Sequence, residues 1–323
     1  MNQYNTVDGN VRPSGRYVFL DGFFSAIVGL LKAAFGALIR WISTPLRPIE
    51  DMPLRWQGAG SRHDALATMR RSTLTVINMN LWHDWPRHRR LPERLEQFSQ
   101  LVEQEGAQLV LLQEALRTSD VEAHSWLADR LGMQAFYQRA NGNRAGIGFE
   151  EGVAVLTSLP VLDIRIQTLS PSSEPFVRRV ALGVEIKTER ASFWAFSTHL
   201  GLIKAHNAMQ IEHLREWVTE MSAGKPALIG GDFNAHESTS QIARISREWI
   251  DTFRWLHPGE KVNSHTLRWP WGSALRKHRL DYLFLKPAKS RWRILEADYL
   301  DHGDDPLSDH KAVLTRLAPA SLN

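Results

Sequence analysis

Ala227-Leu228-Ile229-Gly230-Gly231-Asp232-Phe233-Asn234-Ala235 joins an apolar run to a glycine pair, a carboxylate and an amide. The three leading apolar residues read as a buried strand. The glycine pair is expected to let the backbone turn tightly. Asp232 and Asn234 then emerge two positions apart, and in extended backbone such positions face the same way. A carboxylate placed there can orient and deprotonate a water, and an amide can hold an oxyanion. That is one half of a hydrolytic site.

The other half lies at the ends of other apolar runs. Leu74–Asn80 ends on an amide, Leu109–Glu114 on an acid and Phe193–His199 on an imidazole. Toward the C-terminus the order reverses. Asp281 precedes Tyr282-Leu283-Phe284-Leu285, and Asp309-His310 precedes Ala312-Val313-Leu314. Asn80, Glu114, His199 and Asp232 therefore sit at C-terminal strand ends, whereas Asp281, Asp309 and His310 sit at N-terminal ones. They can share one rim only if the sheets are mixed, with the last strands antiparallel to the earlier ones. An all-parallel barrel or a doubly wound dinucleotide fold is excluded.

In this order, Asn80, Gln113-Glu114, Thr198-His199, Gly231-Asp232-Phe233-Asn234, Leu280-Asp281-Tyr282 and Ser308-Asp309-His310 resemble the endonuclease/exonuclease/phosphatase superfamily. That group includes deoxyribonucleases, abasic-site endonucleases, neutral sphingomyelinases, inositol polyphosphate 5-phosphatases and deadenylases. The resemblance covers residues 73–318. It implies an α+β fold, a four-layer αββα sandwich of two mixed β-sheets flanked by helices. It implies that Asp281 holds His310 and fixes its tautomer, with Asp232 activating or positioning the water. Asn234 would contact a phosphate oxygen, and His199 the scissile phosphate or the leaving group. Either Asp232 or His310 could serve as general base. Tyr137 falls where the family often places a phosphate-contacting tyrosine.

Phosphate ester hydrolysis spreads negative charge over the phosphoryl oxygens, so catalysis is mostly positioning and electrostatics. Mg²⁺ suits it, needing oxygen ligands and only one or two carboxylates. Glu114 and Asp309 are the expected carboxylates, with Asn80 as an amide oxygen. The chain has no cysteine, so thiolate zinc sites are impossible, and the oxygen donors favour Mg²⁺ or Mn²⁺. His83, His88, His124, His206, His213 and His236 read as solvated or packed side chains. Asp281 has a bland alternative as a partner of Arg279 or Lys277.

The net charge is +4 and the sequence pI about 9.4, which favours anionic partners. Leu267-Arg268-Trp269-Pro270-Trp271, followed by Arg276-Lys277-His278-Arg279, reads as a loop beside Asp281. Arg268 and Trp269 are its candidate substrate contacts. Cations interleaved with tryptophans suit stacked bases and phosphates, and equally a lipid headgroup. Asn141–Gly152, with Arg139 beside it and Arg144 within it, reads as a flexible loop on the same cleft. The spacing predicts helices over Pro92–Glu105 and Ala205–Ser222. Gly152–Ser158, Val161–Leu169 and Arg178–Lys187 read as strands.

Residues 1–20 read as a tail, 21–43 as an apolar helix, 44–72 as a tether and 319–323 as a C-terminal tail. Residues 22–42 carry only Lys32 and Arg40 as charges, and as a helix they extend about 30 Å. The helix has a narrow stripe of small and polar residues and is otherwise bulky and apolar. Such a segment lies in a membrane interface, spans and self-associates, or docks on the domain. Apolar residues running past Ala34-Phe35-Gly36 disfavour a cleaved signal peptide. If the helix spans, the arginines that follow place the domain in the cytoplasm. Membrane association is the expectation, and no obligate protein partner is evident. The activity expected is that of a divalent-metal-dependent phosphodiesterase or nuclease. The alternatives are a membrane-associated phospholipid or sphingomyelin-type phosphodiesterase or phosphatase, and a non-catalytic binding module on the same fold.

Overall fold

A computed structural model of the protein describes residues 54–57, 73–84, 87–169, 178–188, 191–268, 274–288, 292–300 and 307–319. The expected N-terminal helix, most of the tether, Trp269 and the last four residues lie outside them. Leu54–Gln57, inside the expected tether, is a strand, β1. It is followed by β2 (Leu74–Asn80), α1 (Leu91–Glu105), β3 (Leu109–Arg117), α2 (Ala123–Leu131) and β4 (Gln134–Asn143). Next come α3 (Arg144–Ile147), β5 (Phe149–Thr157), β6 (Val161–Thr168), β7 (Val180–Lys187), β8 (Ser192–His199), α4 (Lys204–Ser222) and β9 (Ala227–Asp232). The rest are α5 (Ser240–Ile245), β10 (Ile250–Asp251), α6 (Thr252–Leu256), β11 (His265–Arg268), β12 (Ala274–His278), β13 (Asp281–Lys286), β14 (Trp292–Leu300) and β15 (Ala312–Pro319).

One sheet runs β1-β4-β5-β3-β2-β15-β14 and the other β10-β13-β9-β8-β7-β6. β2 and β3 are parallel, as are β8 and β9. β15 is antiparallel to β2, and β13 to β9. These two reversals bring the N-terminal ends of the late strands to the C-terminal ends of the early ones. The rim expected from the sequence is therefore present, on two mixed sheets.

Both faces of the central strands are covered, which is why they read as continuous apolar runs. Val76, Leu109, Leu111, Val184, Leu228, Leu283 and Val313 pack between the sheets. On one outer face Ile77, Val110 and Leu112 meet Leu95, Phe98 and Val102 of α1 and Leu127 of α2. On the other, Phe196, Ile229 and Phe284 meet Ile211, Leu214 and Val218 of α4. The layers are helix, sheet, sheet, helix. Met209, expected on the apolar face of α4, is exposed.

Two expectations are corrected. Gly230 and Gly231 make no turn, since both lie inside β9. A Cβ on Gly230 would approach Leu111 Cδ1 to 2.6 Å and Asn78 Oδ1 to 2.8 Å, and one on Gly231 would strike the Thr198 carbonyl. These glycines permit close approach of the two sheets and of β8, and the bend comes later, at Asn234 with φ 48°. Asn141–Gly152 is not a loop either. It comprises the paired ends of β4 and β5 with the single turn of α3 between them.

Candidate active site

Strand register sets the first row. His199 of β8 lies opposite Asp232 of β9, and Asp281 of β13 lies on the other side of Asp232. Directly opposed residues share a face of the sheet. From the first sheet, Asn80 ends β2 opposite Gln113. Glu114 sits where the β3–β5 register shifts, at φ 51°. Such a bulge re-aims one side chain out of the alternating pattern, and Glu114 is turned onto Asn80.

Asp232 is the hub. Its Oδ2 accepts from Asn80 Nδ2 at 3.1 Å and lies 3.4 Å from His199 Nε2 and 3.8 Å from His310 Nε2. Its Oδ1 accepts the Asn234 N–H at 2.9 Å. Asn234 Nδ2 donates to the Leu200 carbonyl at 2.9 Å and faces His199 Nε2 at 3.2 Å. Asn234 thereby orients the His199 ring.

His310 is held from behind. Its Nδ1 lies 2.8 Å from Asp281 Oδ2. The Ser264 hydroxyl donates to the same oxygen at 2.6 Å while accepting the Leu280 and Asp281 N–H groups. Ser308 accepts the His310 N–H at 3.1 Å and donates to the Asn80 carbonyl at 2.7 Å, joining the β15 approach to β2. The bland pairing of Asp281 with Arg279 does not occur. Arg279 is buried against Asp251, Glu237 and Tyr299.

Burial shapes the charges. Desolvation, with Asp281 nearby, lifts the Asp232 carboxyl to about 6, and His310 opposes that rise. Desolvation would lower His310, but Asp281, Asp309 and Asp232 outweigh it and hold the imidazole up to about 10. Carboxylates crowded against one imidazolium are the donor set a divalent cation relieves.

The expected cation ligands are partly together. Asn80 Nδ2 is 3.3 Å from Glu114 Oε1. Its Oδ1 accepts the Trp82 N–H at 3.0 Å, so here the amide bridges two carboxylates instead of offering its oxygen. Among the described residues, donor atoms converge within 4.8 Å in two groups, His265/Asp309/His310 and Asp232/Asp281/His310. These acidic and imidazole donors suit a divalent cation, and the expected ligand Glu114 lies outside both groups.

Tyr137 is not in the cluster. It is buried in the outer core, its ring stacked on His124 at 4.5 Å with the Arg117 guanidinium 5.4 Å away. Arg268 ends β11, which pairs with β12 as a hairpin where the sequence reads as a loop.

Three neighbours were not expected. His83, read as solvated or packed, presents Nε2 3.4 Å from Glu114 Oε2 and its N–H at 3.2 Å. Buried Arg94 of α1 donates to the carbonyls of Leu81, Trp82 and Leu307, tying the Asn80 and Asp309 segments together. His265 lies 3.7 Å from Asp309. No motif marks any of them, because each acts across long sequence separations.

Comparison with known proteins agrees. The model of the endonuclease/exonuclease/phosphatase family matches residues 77–310. The uncharacterized protein YbhP of Escherichia coli K12 is 30% identical over 93 residues, 28% of this chain and only 34% of that protein. A family protein from Leptotrichia buccalis superposes with a TM-score of 0.60 at 15% identity, over 76% of this chain and 99% of that one. The human Nocturnin catalytic domain with bound sulfate gives 0.60 at 17%, over 77% and 96%. D. rerio TDP2 with a single-strand DNA product gives 0.59 at 15%, over 76% and 99%. At these identities the likeness to the solved structures is one of fold. With the family match spanning both halves of the rim, the chain belongs to the endonuclease/exonuclease/phosphatase family, whose members are generally hydrolases of phosphate esters.

Proposed function

We propose that this chain is a divalent-cation-dependent phosphodiesterase of the nuclease type. The observation that carries the reading is the convergence of Asn80, His199 and His310, from both sheets, on one oxygen of Asp232. A buried carboxylate oxygen with three side-chain nitrogens within 3.8 Å is suited to hold a water against a phosphorus atom. Asp232 takes the proton of that water. His310, fixed by Asp281 and Ser264, places its Nε2 toward a non-bridging oxygen, where charge grows in the transition state. His199, oriented by Asn234, faces the leaving oxygen. Glu114 and Asp309 would hold the cation, which supplies charge neutralisation at the phosphoryl group. A DNA product in TDP2 and a sulfate in Nocturnin support an anionic phosphate-type substrate on this fold.

The intact polar set speaks against a binding module, because a dead site needs neither the Asp281–His310 pair nor a buried Asp232. The test is a hydrolysis panel with Mg²⁺ or Mn²⁺ on the full chain. Its substrates are bis-p-nitrophenyl phosphate, plasmid DNA, single-stranded RNA, sphingomyelin vesicles and a phosphoinositide. Turnover of nucleic acid supports the reading. Turnover of lipid alone would replace it with the phospholipid reading, and silence on every substrate would remove the diesterase reading.

A further inference from the structure

His265 stands apart from the motif residues. It begins β11, and its backbone bridges to His310 across the β15 approach. The Thr266 N–H donates to the Asp309 carbonyl at 3.1 Å, and the Lys311 N–H to the Ser264 carbonyl at 2.7 Å. The root of the β11–β12 hairpin is thereby bolted to the Asp309-His310 segment. The two imidazole rings lie 4.5 Å apart, and the His265 side chain is only 11% exposed.

The spacing of the donor atoms is informative. His265 Nε2 is 3.7 Å from Asp309 Oδ2, and His310 Nε2 is 3.8 Å from Asp309 Oδ1. Both gaps are too long for hydrogen bonds. Both exceed by less than about 0.5 Å the roughly 3.4 Å that separates two ligands each about 2.1 Å from a tetrahedral ion, a gap that small side-chain shifts close. His310 carries a further mark of a ligand. Its Nδ1 is taken up by Asp281, which is itself held by Ser264. A carboxylate behind the ring is the usual support for a metal-bound imidazole.

We propose that His265, Asp309 and His310 form a nitrogen-rich cation site at the base of the hairpin, beside the oxygen-rich position at Glu114. Two imidazoles and one carboxylate suit a borderline ion such as Zn²⁺ or Co²⁺, whereas Mg²⁺ prefers oxygen donors. The absence of cysteine removes thiolates but not this donor set. His265 thus gives the rim a selectivity that the motif residues alone do not carry. The inference shares Asp309 and His310 with the phosphoesterase reading and is tested by binding, so that either can fail without the other.

The experiment uses the full chain stripped with chelator and loaded with one equivalent of Zn²⁺. X-ray absorption at the zinc edge counts imidazole ligands, and two are expected. Calorimetric titration of His265→Phe should show Zn²⁺ bound at least about tenfold more weakly, with Mg²⁺ affinity changed less than about twofold, as loss of one of few ligands requires. Fewer than two imidazoles on the wild-type protein overturns the proposal, whether or not the variant folds. Zn²⁺ affinity unchanged in a folded His265→Phe protein overturns it as well. Absence of hydrolysis on every substrate, with two imidazoles on zinc, would remove the enzymatic reading and leave the site standing.

Discussion

Glu114 holds its carboxylate in place by a left-handed backbone, φ 51°, that favours glycine. Such strain concentrates at functional positions and costs on the order of 1–3 kcal/mol. Glu114→Gly and Glu114→Ala lose the same contacts to Asn80 and His83, but only Gly also relieves the backbone. Gly should be more stable than Ala by about 1 kcal/mol in urea unfolding, and both should lack cation-dependent hydrolysis. His124 offers a pH test away from the rim. Burial lowers its imidazole to about 3, against about 6.5 in the unfolded chain. Between those values the unfolded state binds the extra proton, so stability falls as pH drops below 6.5. From pH 7 to 5 the wild type should lose about 2 kcal/mol more than His124→Phe, which keeps a ring against Tyr137. At this scale the sequence is legible where an apolar run ends on one polar residue, as at Asn80, His199 and Asp232. It is silent on the Glu114 bulge and on His83, Arg94 and His265. Nothing local distinguishes a histidine beside a carboxylate from a solvated one.

Gly230 shows what an element can hide. The sequence reads it as part of a tight turn, yet the glycine lies inside β9 where the two sheets approach, against Leu111 and Asn78. Gly230→Ala should destabilise by about 1–3 kcal/mol through overpacking. Pairing it with Leu111→Val should recover part of that loss in a double-mutant cycle. The helices α1 and α4 were legible because their apolar spacing follows the helical period over many residues. The β11–β12 hairpin and the paired ends of β4 and β5 were not. Charged and tryptophan-rich or glycine-containing stretches look like loops until a partner strand is known. β1 was missed for the same reason, being a four-residue edge strand in proline- and arginine-rich surroundings.

Across the whole molecule, the two sheets are joined by a buried ion cluster behind the rim. Arg279 is enclosed by Asp251, Glu237 and Tyr299, with the Tyr282 ring 4.5 Å away. The Tyr299 hydroxyl passes the connection on to the Asp281 carbonyl at 2.6 Å. Removing one partner strands the other charges, so Arg279→Met should cost about 3–5 kcal/mol in chemical unfolding. The mixed-sheet architecture was legible because polar residues at opposite ends of different strands had to share a rim, and the antiparallel β13 and β15 meet that requirement. Which cations and which phosphate esters the rim accepts depends on side chains brought together only by folding. The most direct test is hydrolysis of bis-p-nitrophenyl phosphate by wild type and Asp232→Asn, with and without Mg²⁺ or Mn²⁺. Cation-dependent turnover that falls about 10²–10⁴-fold in the variant is expected for loss of a general base. Turnover that needs no divalent cation, or that survives the substitution, would contradict a catalytic rim centred on Asp232.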